Sequence, residues 1–187
     1  LILVPFKYLT KEKIRSILIT DGLTRLCWHI AFLGIQDKYV ADSGQVFGKK
    51  GLTSLAVCAI QAALENDYMV VSLDAQNAFP SLQRQAFMDY ISKNPQYARI
   101  RAMVNMMYAR VGKARWYLLD GVTDYVQFLI TNGSFQGCVS GPFMYSIGTV
   151  KTTRRFDGSI VQVADDVAIT GPHALLNAVR AITEFRH

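Results

Sequence analysis

The sequence predicts an α+β fold, a small antiparallel sheet backed by helices. Three observations predict it. Two β-branched runs flank paired acids in Ile160-Val-Gln-Val-Ala-Asp165-Asp166-Val-Ala-Ile169, which reads as a tight hairpin with carboxylates at its tip. Residues 68–73 are nearly all apolar and lead into a third acid, Asp74, as a short strand buried on both faces does. Segments such as 52–66 place good helix formers and apolar residues at helical spacing around these strands.

The elements follow in order. Residues 1–5 and 14–20 are apolar and β-rich, and the basic segment Lys7-Tyr-Leu-Thr-Lys-Glu-Lys13 separates them, so a hairpin with a basic tip is expected. Asp21-Gly22 ends it, and residues 24–33 are predicted to be helical. Residues 42–51 form a loop, 52–66 a helix and 68–73 a strand. Ser81 is expected to cap a helix running to about residue 94, where Pro95 stops it. A second helix is predicted over about 96–110. Residues 116–119 and 125–130 read as a strand pair around Asp120-Gly121, and Asn132-Gly133 is a turn signal. A glycine-rich turn over 137–142 leads into a helix, the acidic hairpin follows, and Pro172 opens a last helix. There is no internal repeat or low-complexity tract.

The bulk composition narrows the function. At 187 residues the chain suits one domain or a compact piece of a larger protein, and 51% hydrophobic residues are enough for a core. A net charge of +6 favours an anionic partner, nucleic acid ahead of a membrane surface. Cys27, Cys58 and Cys138 are scattered and form no CxxC pair, and His29, His173 and His187 form no ligand cluster. Structural zinc and a disulfide framework are therefore not expected, and a reducing compartment is. Residues 125–150 carry no charge, but four glycines, Pro142 and several polar residues interrupt them. No apolar run approaches the roughly 20 residues of a membrane span, and no signal peptide is visible. The chain starts without Met and stops mid-pattern, so it reads as an excised segment.

Adjacent carboxylates repel each other, and a divalent cation removes that cost. If Asp74 lies on a strand beside the acidic hairpin, three carboxylates converge, and such a set can hold two metal ions for phosphoryl displacement. A lone aspartate at a strand end is more often a turn acid or helix cap, and the paired acids shift that balance. Arg99, Arg101, Arg110, Lys113 and Arg115 lie in one stretch free of acids, usually a solvated face and here also a candidate contact for a phosphate backbone. Met103, Met106, Met107 and Tyr108 are expected in the core.

Three motifs appear in order: Asp74-Ala-Gln-Asn-Ala-Phe79, Asn132-Gly-Ser-Phe-Gln136-Gly137-Cys-Val-Ser-Gly-Pro142 and Val163-Ala-Asp165-Asp166. Together they resemble the first palm motifs of reverse transcriptases, in the style of non-LTR retrotransposon enzymes. Lys13-Ile-Arg15-Ser-Ile17 and Gln45-Val-Phe-Gly48 resemble fingers elements of the same family. The resemblance implies a right-hand polymerase palm with part of the fingers. Residues 1–67 would be fingers and 68–187 palm, with fingers-like helices over about 81–115, truncated before the thumb.

The resemblance also implies site roles. Asp74, Asp165 and Asp166 are the catalytic acids. Asp74, Asp165 and the Ala75 carbonyl hold two Mg2+ ions, with Mn2+ as a possible substitute. Phe79 is the steric gate beneath the incoming sugar, where a ring excludes a 2′-hydroxyl. Lys13 and Arg15 grip the triphosphate, and Gln136 and Gly137 meet the nucleotide or the template base.

The expected partners are an RNA template, a DNA primer and a dNTP. No membrane is expected, and a thumb and possible nuclease domain belong to the parent protein. The expected location is the nucleus for a eukaryotic retroelement and the cytoplasm otherwise. The pattern departs from the family at Val163, Ser16, Cys138 and Val139, and in a short link from Pro142 to Asp165. Those departures favour the rival reading, a degenerate palm that binds nucleic acid or protein without catalysis. An RNA-templated RNA polymerase is disfavoured by Phe79, because such enzymes usually place an acid there.

Overall fold

The structure is a computed structural model. It describes residues 2–7, 14–35, 45, 51–110, 112–117, 125–153 and 160–185, with side chains described outside 2–7, 14–17, 19, 112–117, 125–128 and 185. Among the described residues there are two sheets. The first has the order β2-β1-β4-β5 and contains β1 (Ile2–Lys7), β2 (Ile14–Ile19), β4 (Gly112–Tyr117) and β5 (Tyr125–Ile130). The second has the order β3-β7-β6 and contains β3 (Val70–Asp74), β6 (Ile160–Val163) and β7 (Asp166–Thr170). The N-terminal hairpin is antiparallel, with Ile2 opposite Ile19, and β1 runs parallel to β4. The first sheet therefore draws strands from both sides of the division expected near residue 67.

The helices are α1 (Gly22–Phe32), α2 (Leu52–Glu65), the short α3 (Ala78–Ser81), α4 (Arg84–Lys93), α5 (Arg101–Tyr108), α6 (Gly141–Thr153) and α7 (Ala174–Phe185). Asp21 does more than end the hairpin. Its carboxylate accepts from the Thr24 N–H at 2.8 Å and so caps α1. The Thr24 hydroxyl donates to the other carboxylate oxygen, and that bond, followed by the N–H bond, holds the carboxyl below the usual carboxylate range. Ser81 is not a cap. It lies within α3, and α4 starts after Gln83 with no side-chain cap. Asn94 closes α4 instead, its backbone and side-chain N–H groups both reaching the Tyr90 carbonyl. Pro95 opens a 3-10 segment, Pro95–Ile100, that leads into α5, so one expected helix is two elements.

The larger core packs Trp28 and Phe32 of α1, Phe87 and Ile91 of α4, Tyr97 and Ile100 of the 3-10 segment, and Val104 and Tyr108 of α5 around α6. Met103 and Met107 pack against this core, but Met106 is 66% exposed, which corrects its expected burial. A smaller core sets Ala174, Ala178 and Ala181 of α7 against Val167 and Ile169 of β7. Those alanines recur every three to four residues, the spacing of one helix face, and let the helix approach the sheet closely.

β3 is not buried on both faces. It is an edge strand of its sheet, with Ser72 and Asp74 exposed and the other residues half-buried. Its apolar run meets α7, so Val71 and Leu73 join the smaller core, and α2 approaches the same strand. No described helix is long and apolar enough to cross a membrane.

Candidate active site

β3 pairs with β7 in antiparallel register, and the pairing runs from Val70 opposite Thr170 to Asp74 opposite Asp166. Cross-strand partners project to the same face, so these two carboxylates leave the sheet side by side. Asp166 is also opposite Val163 of β6, which leaves Ala164 and Asp165 as a two-residue turn. Asp165 is half-buried, whereas Asp74 and Asp166 are exposed. No described lysine or arginine forms an ion pair with these acids.

A buried hydroxyl reports on the acids. Tyr145 of α6 is 3% exposed, and its phenol is pushed up to about 12. Burial is the main cause, and the negative charges of Asp165 and Asp74 add to it. Both acids therefore act on one hydroxyl. The Tyr145 ring packs on Phe79, with centroids 5.0 Å apart. Phe79 is 9% exposed and shares a small cluster with Ala78 and Tyr145, so it is packed as a core aromatic. The chain reaches it through Asn77, at φ +52, a conformation asparagine tolerates.

The motif around Gln136 is tied to both neighbours. Gly133 donates its N–H to the Leu82 carbonyl, and Ser134 donates to the Phe79 carbonyl, each at 2.8 Å. The Gln136 carbonyl accepts from Leu18 of β2 at 2.8 Å. The strand that carries Arg15 therefore lies against the turn that carries Gln136 and Gly137. Gln136 is half-buried, and Gly137 is exposed at φ +88. Lys13 lies outside the described residues, as does the Asp120-Gly121 turn. The side chains of Arg15, Lys113 and Arg115 lie outside the described placements, although their strands are described.

The remaining basic residues do not gather at the acids. Arg101 is half-buried, and its guanidinium donates to the Ile91 carbonyl at 3.2 Å and the Asn94 carbonyl at 3.3 Å, closing the end of α4. Arg99 is exposed and reaches the Leu33 carbonyl at 3.4 Å. Arg110 is exposed.

Three residues of the site carry no distinguishing signal in the sequence. Tyr145 looks like any apolar helix position. Arg84 is 7% exposed and donates to the carbonyls of Gly133, Tyr108 and Arg110, with its guanidinium over the rings of Tyr108 and Phe135. Gln45 stands in a quoted motif, but nothing in the sequence says that it reaches Ala164, 119 residues away.

The metal question turns on donor chemistry. Asp74 and Asp165 are hard oxygen donors, and the Ala75 carbonyl, which accepts from Ala78 at 3.2 Å, keeps a second lone pair. Among the described residues no group of three or more His, Cys, Asp and Glu could hold a metal ion, so Asp74, Asp165 and Asp166 do not converge as the three-carboxylate set the sequence suggested. Magnesium takes only one or two carboxylates from a protein and keeps waters and substrate phosphates, so the donor set to weigh is Asp74 and Asp165 with the Ala75 carbonyl.

Comparison with known proteins gives relatives in sequence and in structure. No family model matches the chain. A curated relative, the retrotransposable element SLACS 132 kDa protein of Trypanosoma brucei gambiense, is 26% identical over 146 residues. The match covers 75% of this chain and 12% of that protein, so the chain spans a small part of its relative's length. Two solved telomerases are similar in structure. The apo telomerase of Candida tropicalis truncated from its C-terminal domain gives a TM-score of 0.56 at 10% identity, covering 92% of this chain and 44% of that one. The telomerase of Candida albicans in complex with the TWJ fragment of telomeric RNA gives 0.62 at 9% identity, covering 98% and 40%. The chain therefore has a reverse-transcriptase-like fold.

Proposed function

We propose that the chain is the fingers–palm portion of an RNA-directed DNA polymerase. Residues 1–67 form the fingers and 68–187 the palm, with fingers-like helices over about 81–115 and a sheet that draws strands from both. The observation that carries this reading is the pairing of Asp74 with Asp166 beside the Asp165 turn, with Asp74 and Asp165 acting on one buried phenol. The reaction is nucleotidyl transfer. The primer 3′-hydroxyl oxygen attacks the α-phosphorus of a dNTP, the bond to the β-phosphate breaks, and pyrophosphate leaves with the hydroxyl proton passing to solvent.

Asp74, Asp165 and the Ala75 carbonyl would hold magnesium, with manganese as a substitute. When bound, two such ions supply charge neutralisation on the triphosphate and an activated hydroxyl. Phe79, backed by Tyr145, presents a rigid ring beneath the sugar and rejects a 2′-hydroxyl by obstruction. Arg15 and Lys13 would grip the triphosphate, and Gln136 and Gly137, held against the strand that carries Arg15, would orient the nucleotide.

Arg99, Arg110, Lys113 and Arg115 add salt-dependent grip on an RNA template and DNA primer. Arg101 contributes least, because its guanidinium is engaged with α4. The retrotransposable-element relative and the RNA-bound telomerase support nucleic-acid partners. The proposal extends to a thumb and nuclease domain in the parent protein and, for a eukaryotic retroelement, to action in the nucleus.

The test is primer extension on an RNA template by the parent protein, with D74N and D165N. Each substitution should lower nucleotide addition about a thousandfold or more, since the residues act as a unit, while thermal unfolding stays cooperative. Full extension by either variant sinks the assignment. No extension by the wild type, with hybrid binding intact, establishes the non-catalytic palm in its place.

A further inference from the structure

The turn that presents Asp165 adopts a conformation its own residues do not favour. Ala164 sits at φ +57, where a side chain is crowded by its own backbone. Such a residue persists only where its surroundings over-determine it. Here the surroundings are two buried glutamines. Gln45 Oε1 accepts from the Ala164 N–H at 2.9 Å, and Gln45 Nε2 donates to the Ala164 carbonyl at 3.1 Å. Gln162 Nε2 donates to the same carbonyl at 3.2 Å and to Thr149 Oγ1 of α6 at 3.5 Å.

Gln45 is 1% exposed and Gln162 is 0% exposed. The backbone of Gln45 also bridges that of Gln162 in parallel. The clamp therefore comes from a distant part of the chain and closes on the residue immediately before a candidate metal ligand. An uncharged amide can accept from and donate to one residue at the same time. A carboxylate of the same shape only accepts, and methionine offers no comparable donor or acceptor.

We propose that Gln45 is a positioning residue for nucleotidyl transfer: its amide, closed on both backbone polar groups of Ala164, sets the direction in which Asp165 leaves the β6–β7 turn. The inference rests on the polymerase reading for its chemistry, while the clamp has its own readout. Gln45 does not touch the reacting atoms. It acts through Ala164, and Gln162 shares the load at the carbonyl alone. The Ala164 N–H depends on Gln45.

The experiment uses Q45M, A164G, the double variant and D165N. In the metal-free 187-residue protein, hydrogen exchange at the Ala164 amide should speed at least tenfold in Q45M while unfolding stays cooperative. Mn2+ binding, followed by its electron paramagnetic resonance signal, should weaken at least threefold in Q45M, with D165N marking full loss. A164G in the Q45M background should recover most of that binding, because glycine enters positive φ without crowding.

Unchanged exchange and Mn2+ affinity in folded Q45M overturn the proposal. So does an equal loss in Q45M and Q45M/A164G, which would make Gln45 merely structural. Where Q45M does not fold, Q45N, whose amide is one methylene too short to close the clamp, is read in the same way. Wild-type protein without D165N-sensitive Mn2+ binding counts against the polymerase reading instead, and the exchange arm then decides the clamp alone.

Discussion

Gly133 and Ala164 both occupy the left-handed region, and they reach it by opposite routes. Gly133 sits at φ +83, and a Cβ there would lie 2.5 Å from the Pro80 carbonyl oxygen and 2.8 Å from that of Phe79. Its conformation and its close approach to α3 both follow from having no side chain. Ala164 sits at φ +57 and does carry a Cβ. Its conformation is held by hydrogen bonds from Gln45 and Gln162. One turn is built by residue type, the other by tertiary contact. The first tolerates almost no replacement of its glycine, and the second stands only while its partners do.

Breaking the glycine turn should have the largest effect. Gly133→Ala combines a strained φ with a clash against backbone, which cannot move aside as a side chain can. The sum of strain and overpacking is about 4 kcal/mol, measured as a fall in urea midpoint at constant slope. A loss under about 1 kcal/mol would mean that the turn relaxes and the contrast with Ala164 is false.

Arg84→Met tests what supports that same turn from outside. Burial pulls the Arg84 pKa down from the usual arginine value, with Tyr108 opposing, yet the guanidinium still serves three carbonyls. Removing it leaves the Gly133 carbonyl without that donor and should cost about 2 kcal/mol. If glycine alone builds the turn, the loss comes from packing, and Arg84→Lys restores little. If the guanidinium shapes it, primer extension falls as well as stability.

Ala164→Gly sharpens the other side. Relief of the left-handed strain is offset by the larger entropy of an unfolded glycine, so stability should change by less than about 1 kcal/mol. Urea denaturation reads this directly. A loss of 2 kcal/mol or more would mean that the Ala164 methyl makes a contact that matters more than its strain.

The smallest effect is spectroscopic. The Tyr145 pKa in the folded state lies above the ordinary 10.0, at about 12. The folded state therefore keeps a proton that the unfolded state releases. The contribution is complete below about pH 10 and is lost as pH rises through about 12. Asp165→Asn removes one of the two charges and should lower the Tyr145 titration, followed by tyrosinate absorbance with Tyr145→Phe as the reference. No change would mean that the Ala164 turn aims Asp165 away from the phenol, and the clamp would then serve another end.

Much of this was legible before the fold. The hairpin of Ile160–Val163 and Asp166–Thr170 follows from alternation broken by two acids, and the turn at Gly133 from an Asn-Gly pair. The misread elements have a common cause. Residues 68–73 are apolar enough for a central strand, but hydrophobicity says nothing about which edge of a sheet is left bare, and β3 turned out to be an edge. Ser81 has the chemistry of a cap, but Pro80 and the tight packing of Gly133 against 79–82 place it inside a short helix instead. Arg101 looks like a free cation until α4 ends beside it and offers its carbonyls.

The sequence by itself determined most of the elements, their order and the place of the acids at a strand end and a hairpin turn, because those depend on local period, turn chemistry and residue type. Only the tertiary structure decided the register that sets Asp74 opposite Asp166, the burial of the Tyr145 phenol within the field of Asp74 and Asp165, and the glutamine clamp on Ala164. Register is chosen by strand pairing, and a hydrogen bond spanning 119 residues exists only once the chain has closed on itself. A local pattern carries no record of either.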